Sequence, residues 1–202
     1  MVVSNAVIET METCRAMRFL KSDPVPDDLL ETVLYAATRA SSPNNSQGWT
    51  FVVVRDVEQR RAIGEAFGFF AGVVKDMSAP EDPTDRRTLI GAFNLASTIG
   101  QVPVLIFVCV RNIYPPDAPD EQMMWSAGFA ASQNLVVAAR SLGLGTVFST
   151  LHKVAEPQIR SILNLPDDVK LATTIPVGWP GRSFGPVTRK SLDEVVRYDR
   201  YA

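Results

Sequence analysis

Apolar positions along this chain switch between helical and strand spacing, and the switches mark out its elements. Val7 to Cys14 predicts a short helix. Pro26 opens a second one at the favoured first position, with Asp27, Asp28 and Glu31 near its positive end and Leu30, Val33, Leu34 and Ala37 as its core face. The turn-forming cluster SSPNNSQG then halts that helix. Ser41 to Gly48 is therefore predicted as a loop leading into WTFVVVR, a strand rich in β-branched and aromatic residues. Residues 57 to 77 return to helical spacing, SAPEDPTD breaks it and predicts a surface excursion, and Arg86 to Ile99 resumes it through Leu89, Phe93 and Leu95.

VPVLIFVCVR, residues 102 to 111, is an unbroken apolar run of strand length, the pattern of a central strand covered on both faces. After the proline-rich YPPDAPDE, Met123 to Leu142 predicts a long and almost uncharged helix, ended by the Gly143-Leu144-Gly145 turn. Such a helix needs cover on nearly all sides, more than a chain of 202 residues spares for one element, so it predicts a helix-mediated homodimer. A helix from about 155 to 164, the strand LATTIPVGW and a tail carrying Arg182, Arg189 and Lys190 complete the pattern. Helices alternate with strands through long crossovers, which predicts an α+β or α/β chain in a single domain, 1–202. A mixed central sheet of about four to five strands, flanked by helices, is expected. A doubly wound nucleotide fold fits less well, because no GxGxxG follows the first strand and no P-loop pattern occurs.

Composition narrows the function classes. With 46% hydrophobic and 21% charged residues, disorder and fibrous repeats are excluded. The charge-free stretch Met123 to Ala139 contains Ser126, Gly128, Ser132, Gln133 and Asn134 and falls short of the roughly 20 apolar residues that span a bilayer, so no membrane partner is expected. The first residues lack a cationic start and a long apolar run, which makes the cytoplasm the expected location. Cys14 and Cys109 stand far apart without CxxC spacing, so both are expected to be reduced. One histidine, His152, weakens hydrolase and metal-site readings, and a net charge of −2 provides no general field for nucleic acid. Any anion site must be local.

Arg15-Ala16-Met17-Arg18 sets two guanidiniums three residues apart, a spacing that makes a phosphate clamp if the turn is helical; taken by itself the pair reads as solvated surface arginines. The hydroxyls and amides of SSPNNSQGW suit the polar edge of a heterocycle. Phe67, Phe69 and Phe70 read as core, with capping of a planar ligand as the alternative. Cys109 reads as an apolar filler, His152 as structural, and Cys14 beside Arg15 as a thiol of lowered pKa.

The order of these features carries a resemblance. RAMRFLKSDPVPDDLLETVLYAATRASSPNNSQGWTFVVV resembles the N-terminal signature of the FMN-dependent nitroreductase superfamily of NAD(P)H-dependent flavin oxidoreductases. SQNLVVAARSLGLGTVFS is similar to its central dimer helix and following turn, and IPVGWPGRSFGPVTRKSLDEVV to its terminal segment. Residues from about 58 to 121 carry no signature; in this family that region varies with substrate preference, and it is expected to form part of the substrate pocket.

The resemblance implies a nitroreductase-like homodimer with FMN at its interface. Arg15, Ala16, Met17 and Arg18 would hold the phosphate and ribityl chain, with Arg189 closing on the same phosphate. Ser42, Pro43 and Asn45, with Gln47 nearby, would come from the other subunit and line the ring. Ser149, Thr150 and Leu151 would place backbone amides near the reactive flavin nitrogen. Three positions depart from the family pattern: Cys14 stands where an arginine is frequent, Ala16 where a serine is, and Gly48 where proline is usual. The implied activity passes electrons from NADH or NADPH to a nitroaromatic, quinone or similar small-molecule acceptor by a ping-pong mechanism, with the chemistry on the flavin and no catalytic side chain. The alternatives are a dehalogenase or flavin-fragmenting branch of the superfamily, a flavin-sequestering module without efficient turnover, and a helix-mediated interaction protein whose arginines are merely solvated.

Overall fold

The unbroken apolar run becomes β2 (Val104–Arg111), whose residues are buried on both faces up to the final arginine. The computed structural model describes residues 3–75, 78 and 80–201, leaving the side chains of 69, 70 and 73–75 outside the description. β2 pairs with β1 (Trp49–Val54) on one side and β4 (Val169–Gly178) on the other. A two-residue strand, β3 (Gly145–Thr146), lies on the far edge of β4, giving the order β1-β2-β4-β3. Every pairing among the described residues is antiparallel, where the crossovers predict a mixed sheet. β2 and β3 do run the same way, but β4 is inserted between them, so the crossover joining them never sets two parallel strands side by side.

Side chains of β2 alternate between two cores. Val104, Ile106, Val108 and Val110 pack towards α2 (Asp27–Ala37) and α5 (Glu121–Ser141). Leu105, Phe107 and Cys109 pack on the opposite face with Ile63 and Phe67 of α3 (Val57–Lys75) and Ile159 of α6 (Glu156–Ile162). Each such side chain stabilises the fold by about 1.5–3 kcal/mol relative to leaving it in water. Phe67 is therefore core, as its spacing predicts; the side chains of Phe69 and Phe70 fall outside the described residues. α4 (Pro83–Thr98) packs on α3, while α1 (Ala6–Thr13) and α7 (Leu192–Val195) bury no residue at all.

α5 lies close on the sheet because Gly128 lets it. A Cβ there would stand 2.6 Å from Val110 Cγ1 and 2.9 Å from Ala172 Cβ, closer than carbon atoms approach. Its buried stripe runs Met124, Ala127, Ala131, Leu135 and Ala139, yet Met123 and Phe129 on the other side remain 40% exposed. The single chain thus leaves uncovered part of a helix whose composition calls for cover. No described helix is long and apolar enough to cross a membrane.

Most element ends shift by a residue or two from the sequence pattern, and some of the differences have a visible cause. α4 begins at Pro83, inside the segment expected to break the helix, because Asp82 caps it by accepting from the N–H groups of Thr84 and Asp85. β4 begins two residues before the apolar run, at Val169. Gly145–Thr146 is a strand where a turn is expected; it is too short for any alternation to show.

Candidate functional site

The two ends of the chain meet along one line. Met17 donates its N–H to the Thr146 carbonyl at 2.8 Å, Gly181 donates to Phe19 at 2.8 Å, and Val187 donates to Glu12 at 2.9 Å. This threads residues 12–20 between β3 and the tail and brings the arginines of both ends together. Arg15 reaches Gly185, where its Nη1 is 3.3 Å from the place a Cβ would occupy. Arg18 lays its aliphatic stem on Gly91 of α4, where a Cβ would meet Arg18 Cδ at 2.8 Å, and its carbonyl accepts from Asn94 Nδ2 at 2.8 Å. Arg189, from the tail, acts with Arg140 of α5 on the Cys14 thiol.

The cluster is electrostatically unfinished. Burial first, and then the charge of Arg15, push the Arg18 guanidinium below its ordinary value. Among the described residues no carboxylate pairs with Arg15, Arg18, Arg140 or Arg189. Arg140 stacks on Phe184 at 4.0 Å, and its Nε is buried without a hydrogen-bond partner among the described residues. Four guanidiniums with no ion-pair partner among the described residues, one of them with an orphaned buried donor, make a place where an anion such as a phosphate is favoured.

Arg140 is not grouped with these arginines by the sequence pattern, although a signal is present. It is the lone cation of α5, in the last turn, where the helix dipole favours positive charge. Cys14 reverses its expectation. Burial raises its thiol pKa, and the flanking Arg140 and Arg189 offset this only in part, so the thiol stays protonated and donates to the Val136 carbonyl at 3.6 Å. Met17 is buried, with its N–H taken by Thr146, so only packing places it at the cluster; Ala16 is exposed beside it.

The loop after α2 is built differently. Asn44, Asn45 and Gln47 all adopt positive φ, at 47°, 54° and 50°, held by Ser42 Oγ, which accepts the Gln47 N–H at 3.0 Å. Pro43, Ser46 and Gly48 line a small cavity with Met123, Met124 and Ala127 at the start of α5. The arginines sit at the other end of the same helix: Met124 and Arg140 are 16 residues apart, about 24 Å at 1.5 Å per residue. Ser42, Pro43, Asn45 and Gln47 are therefore not brought to Arg15, Arg18 and Arg189 within one chain.

Ser149, Thr150 and Leu151 lie between these ends. Ser149 accepts the Thr174 N–H at 2.8 Å, and its Oγ accepts the Leu151 N–H at 2.9 Å, which engages one of the three expected amides within the loop. Next to them His152 is fully buried, its Nδ1 3.1 Å from Thr174 Oγ1. Burial above all, with a contribution from Lys153, lowers its pKa, while Glu156 and the Leu171 carbonyl act the other way. An aromatic row follows on the uncovered side of α5, where Trp125 and Phe129 have ring centroids 6.0 Å apart, as do Phe129 and Phe148.

Known proteins share sequence and fold with most of this chain. An iodotyrosine deiodinase from Nematostella vectensis is 28% identical over 201 residues, covering 93% of this chain and 73% of that protein. An NADH dehydrogenase from Thermus thermophilus is 29% identical over 189 residues, covering 90% of each. Among solved structures, a nitroreductase with bound FMN from Desulfitobacterium hafniense superposes with a TM-score of 0.74 at 18% identity, covering 98% of this chain and 100% of the other, which shows a shared fold. The model of the Nitroreductase family matches residues 12–179, from the paired start of the chain to the end of β4 and one residue beyond it. The chain belongs to the Nitroreductase family.

Proposed function

We propose that this protein is an FMN-dependent oxidoreductase that takes electrons from NADH or NADPH and passes them by a ping-pong mechanism to a nitroaromatic, quinone or similar small acceptor. The observation that carries the reading is the group of four guanidiniums, none ion-paired among the described residues, where the chain ends meet. Family membership and the FMN named with a solved relative agree with it. Arg15, Arg18 and Arg189, with Arg140 behind them, would hold the phosphate. When bound, FMN supplies the two-electron chemistry. Accordingly the protein needs no nucleophile, and its residues bind, orient and exclude water.

The site is proposed to form between two copies. The length of α5 separates the Ser42–Gln47 loop from the arginines of its own chain, and the surface that a partner would cover is apolar: Phe129 and Phe148 on one side, Leu192, Val195 and Tyr198 on the tail. Antiparallel apposition of two α5 helices would bring one copy's loop to the other's arginines, with Ser149–Leu151 between. Pro43, Asn45 and Gln47 would then line the ring, and the Thr150 amide would face its edge.

The decisive experiment is a visible spectrum of the purified protein with stepwise NADH and NADPH. Flavin bands that bleach with either donor and return on adding a quinone or nitro compound support the reading. Protein that neither carries nor takes up FMN overturns it. A second reading, reductive dehalogenation, is favoured by the likeness to iodotyrosine deiodinase; replacing the quinone by a halogenated phenol in the same assay separates the two.

A further inference from the structure

The single histidine plays no part in the chemistry above, yet it is built into the base of the loop that would face the ring. β3 pairs Gly145 with Gly178 and Thr146 with Val177, and the next bridge in that register is Ser149 with Thr174, after the ladder has lapsed. Thr174 holds the loop twice. Its N–H donates to the Ser149 carbonyl at 2.8 Å, and its Oγ1 is 3.1 Å from His152 Nδ1. The two attachments bracket Thr150 and Leu151, and the Leu151 N–H is spent on Ser149 Oγ. Thr150 is exposed, and its N–H has no acceptor among the described residues. An apolar side chain of equal size would fill the His152 space without burying an imidazole whose Nε2 makes no hydrogen bond of regular geometry among the described residues, although the Leu171 carbonyl acts on the ring. A polar group kept at that cost, bonded to the one strand residue that also anchors Ser149, has the form of a brace.

We propose that His152 is a positioning residue, acting through Thr174 to fix the direction in which the Thr150 amide is presented to the bound flavin. The inference rests on the FMN reading above and adds to it a residue that touches neither cofactor nor substrate.

The test uses the FMN-loaded protein and four variants: Thr174→Val, which keeps the shape and removes the hydroxyl; Thr174→Ser, which keeps the hydroxyl; His152→Gln; and His152→Phe. Flavin uptake, the midpoint potential of bound FMN, the rate of its reduction by nicotinamide and the melting temperature are read for each. Thr174→Val and His152→Phe are expected to take up FMN with affinity within about threefold of the parent, because the arginines are elsewhere. They should shift the potential and slow reduction about tenfold, the scale of a misaimed backbone donor. Thr174→Ser should recover most of the rate and His152→Gln part of it. Unchanged potential and rate in Thr174→Val, with or without a lower melting temperature, overturn the proposal, as do equal losses in Thr174→Val and Thr174→Ser. If either histidine variant does not fold, the two threonine variants still decide. A parent protein that takes up no FMN fails at the first reading, which distinguishes the loss of the cofactor assignment from the loss of the brace.

Discussion

Ser132 of α5 and Thr173 of β4 face each other at 2.7 Å through their hydroxyls, both fully buried. Ser132 Oγ also donates to the Gly128 carbonyl at 2.8 Å, so the proton between the two side chains comes from Thr173. This bond ties the central helix to the central sheet in a layer that is otherwise apolar. Removing Ser132 strands the Thr173 proton in an apolar layer, whereas removing Thr173 takes one bond from Ser132, which keeps its own to the Gly128 carbonyl; removing both strands nothing. Ser132→Ala and Thr173→Val are each expected to cost about 1–2 kcal/mol, and the double variant clearly less than their sum, as measured by denaturant unfolding in a double-mutant cycle.

Replacing Arg15 and Arg18 together by alanine should weaken FMN binding more than a hundredfold, since each charge-assisted hydrogen bond to a phosphate contributes about 1.5–3 kcal/mol. Arg140→Met should weaken it as well. Equilibrium dialysis against FMN measures both, and near-parent affinity in the double variant would mean that the phosphate sits elsewhere.

Gly128→Ala puts a methyl group within 3 Å of Val110 and Ala172, and the helix can yield only by lifting off the sheet. A loss of about 1–3 kcal/mol is expected, read as a lower midpoint of unfolding at unchanged slope.

Gln47 holds a left-handed conformation at φ 50° without being glycine. Gln47→Gly relieves strain of about 1–2 kcal/mol and loses part of it to chain entropy, for a net gain near 0.5–1 kcal/mol. The melting temperature should rise by about 2 °C, while FMN uptake, which would use the shape of this loop, should fall.

His152 gives the fold a pH dependence of known sign. Its folded pKa lies below its ordinary 6.5, so the unfolded chain takes up the proton more readily. The stabilising contribution is complete above 6.5 and is lost as pH falls from there through the folded value. Melting temperature measured between pH 5 and 8 should decline on the acid side, and His152→Gln should flatten that decline. Glu156, which favours the charged ring, moderates the effect, and Glu156→Gln should steepen it.

Local patterning made most of the architecture readable. The run 102–111 and the long apolar helix announce β2 and α5 because both are strongly periodic and deeply buried. β3 was illegible: two residues carry no alternation, and what fixes Gly145 is the neighbouring Met17 and Leu20, with Met17 Cγ 2.7 Å from where its Cβ would be. The N-terminal arginines could be read from spacing, but Arg140 could not be grouped with them, because only the tertiary fold carries the last turn of α5 to Cys14 and Phe184. The Cys14 expectation failed for the same reason. Sequence shows Arg15 beside the thiol; it does not show the burial that outweighs the nearby charge.

The length of α5 has a thermodynamic consequence. With the loop at its start and the guanidiniums near its end, an isolated subunit would present two half-cradles and no whole one. On the proposed reading, cofactor binding and assembly are then linked by mass action: diluting the protein should release its FMN into solution, excess FMN should oppose that release, and mixed pairs of intact and arginine-deficient subunits should retain one ligand where the parent holds two.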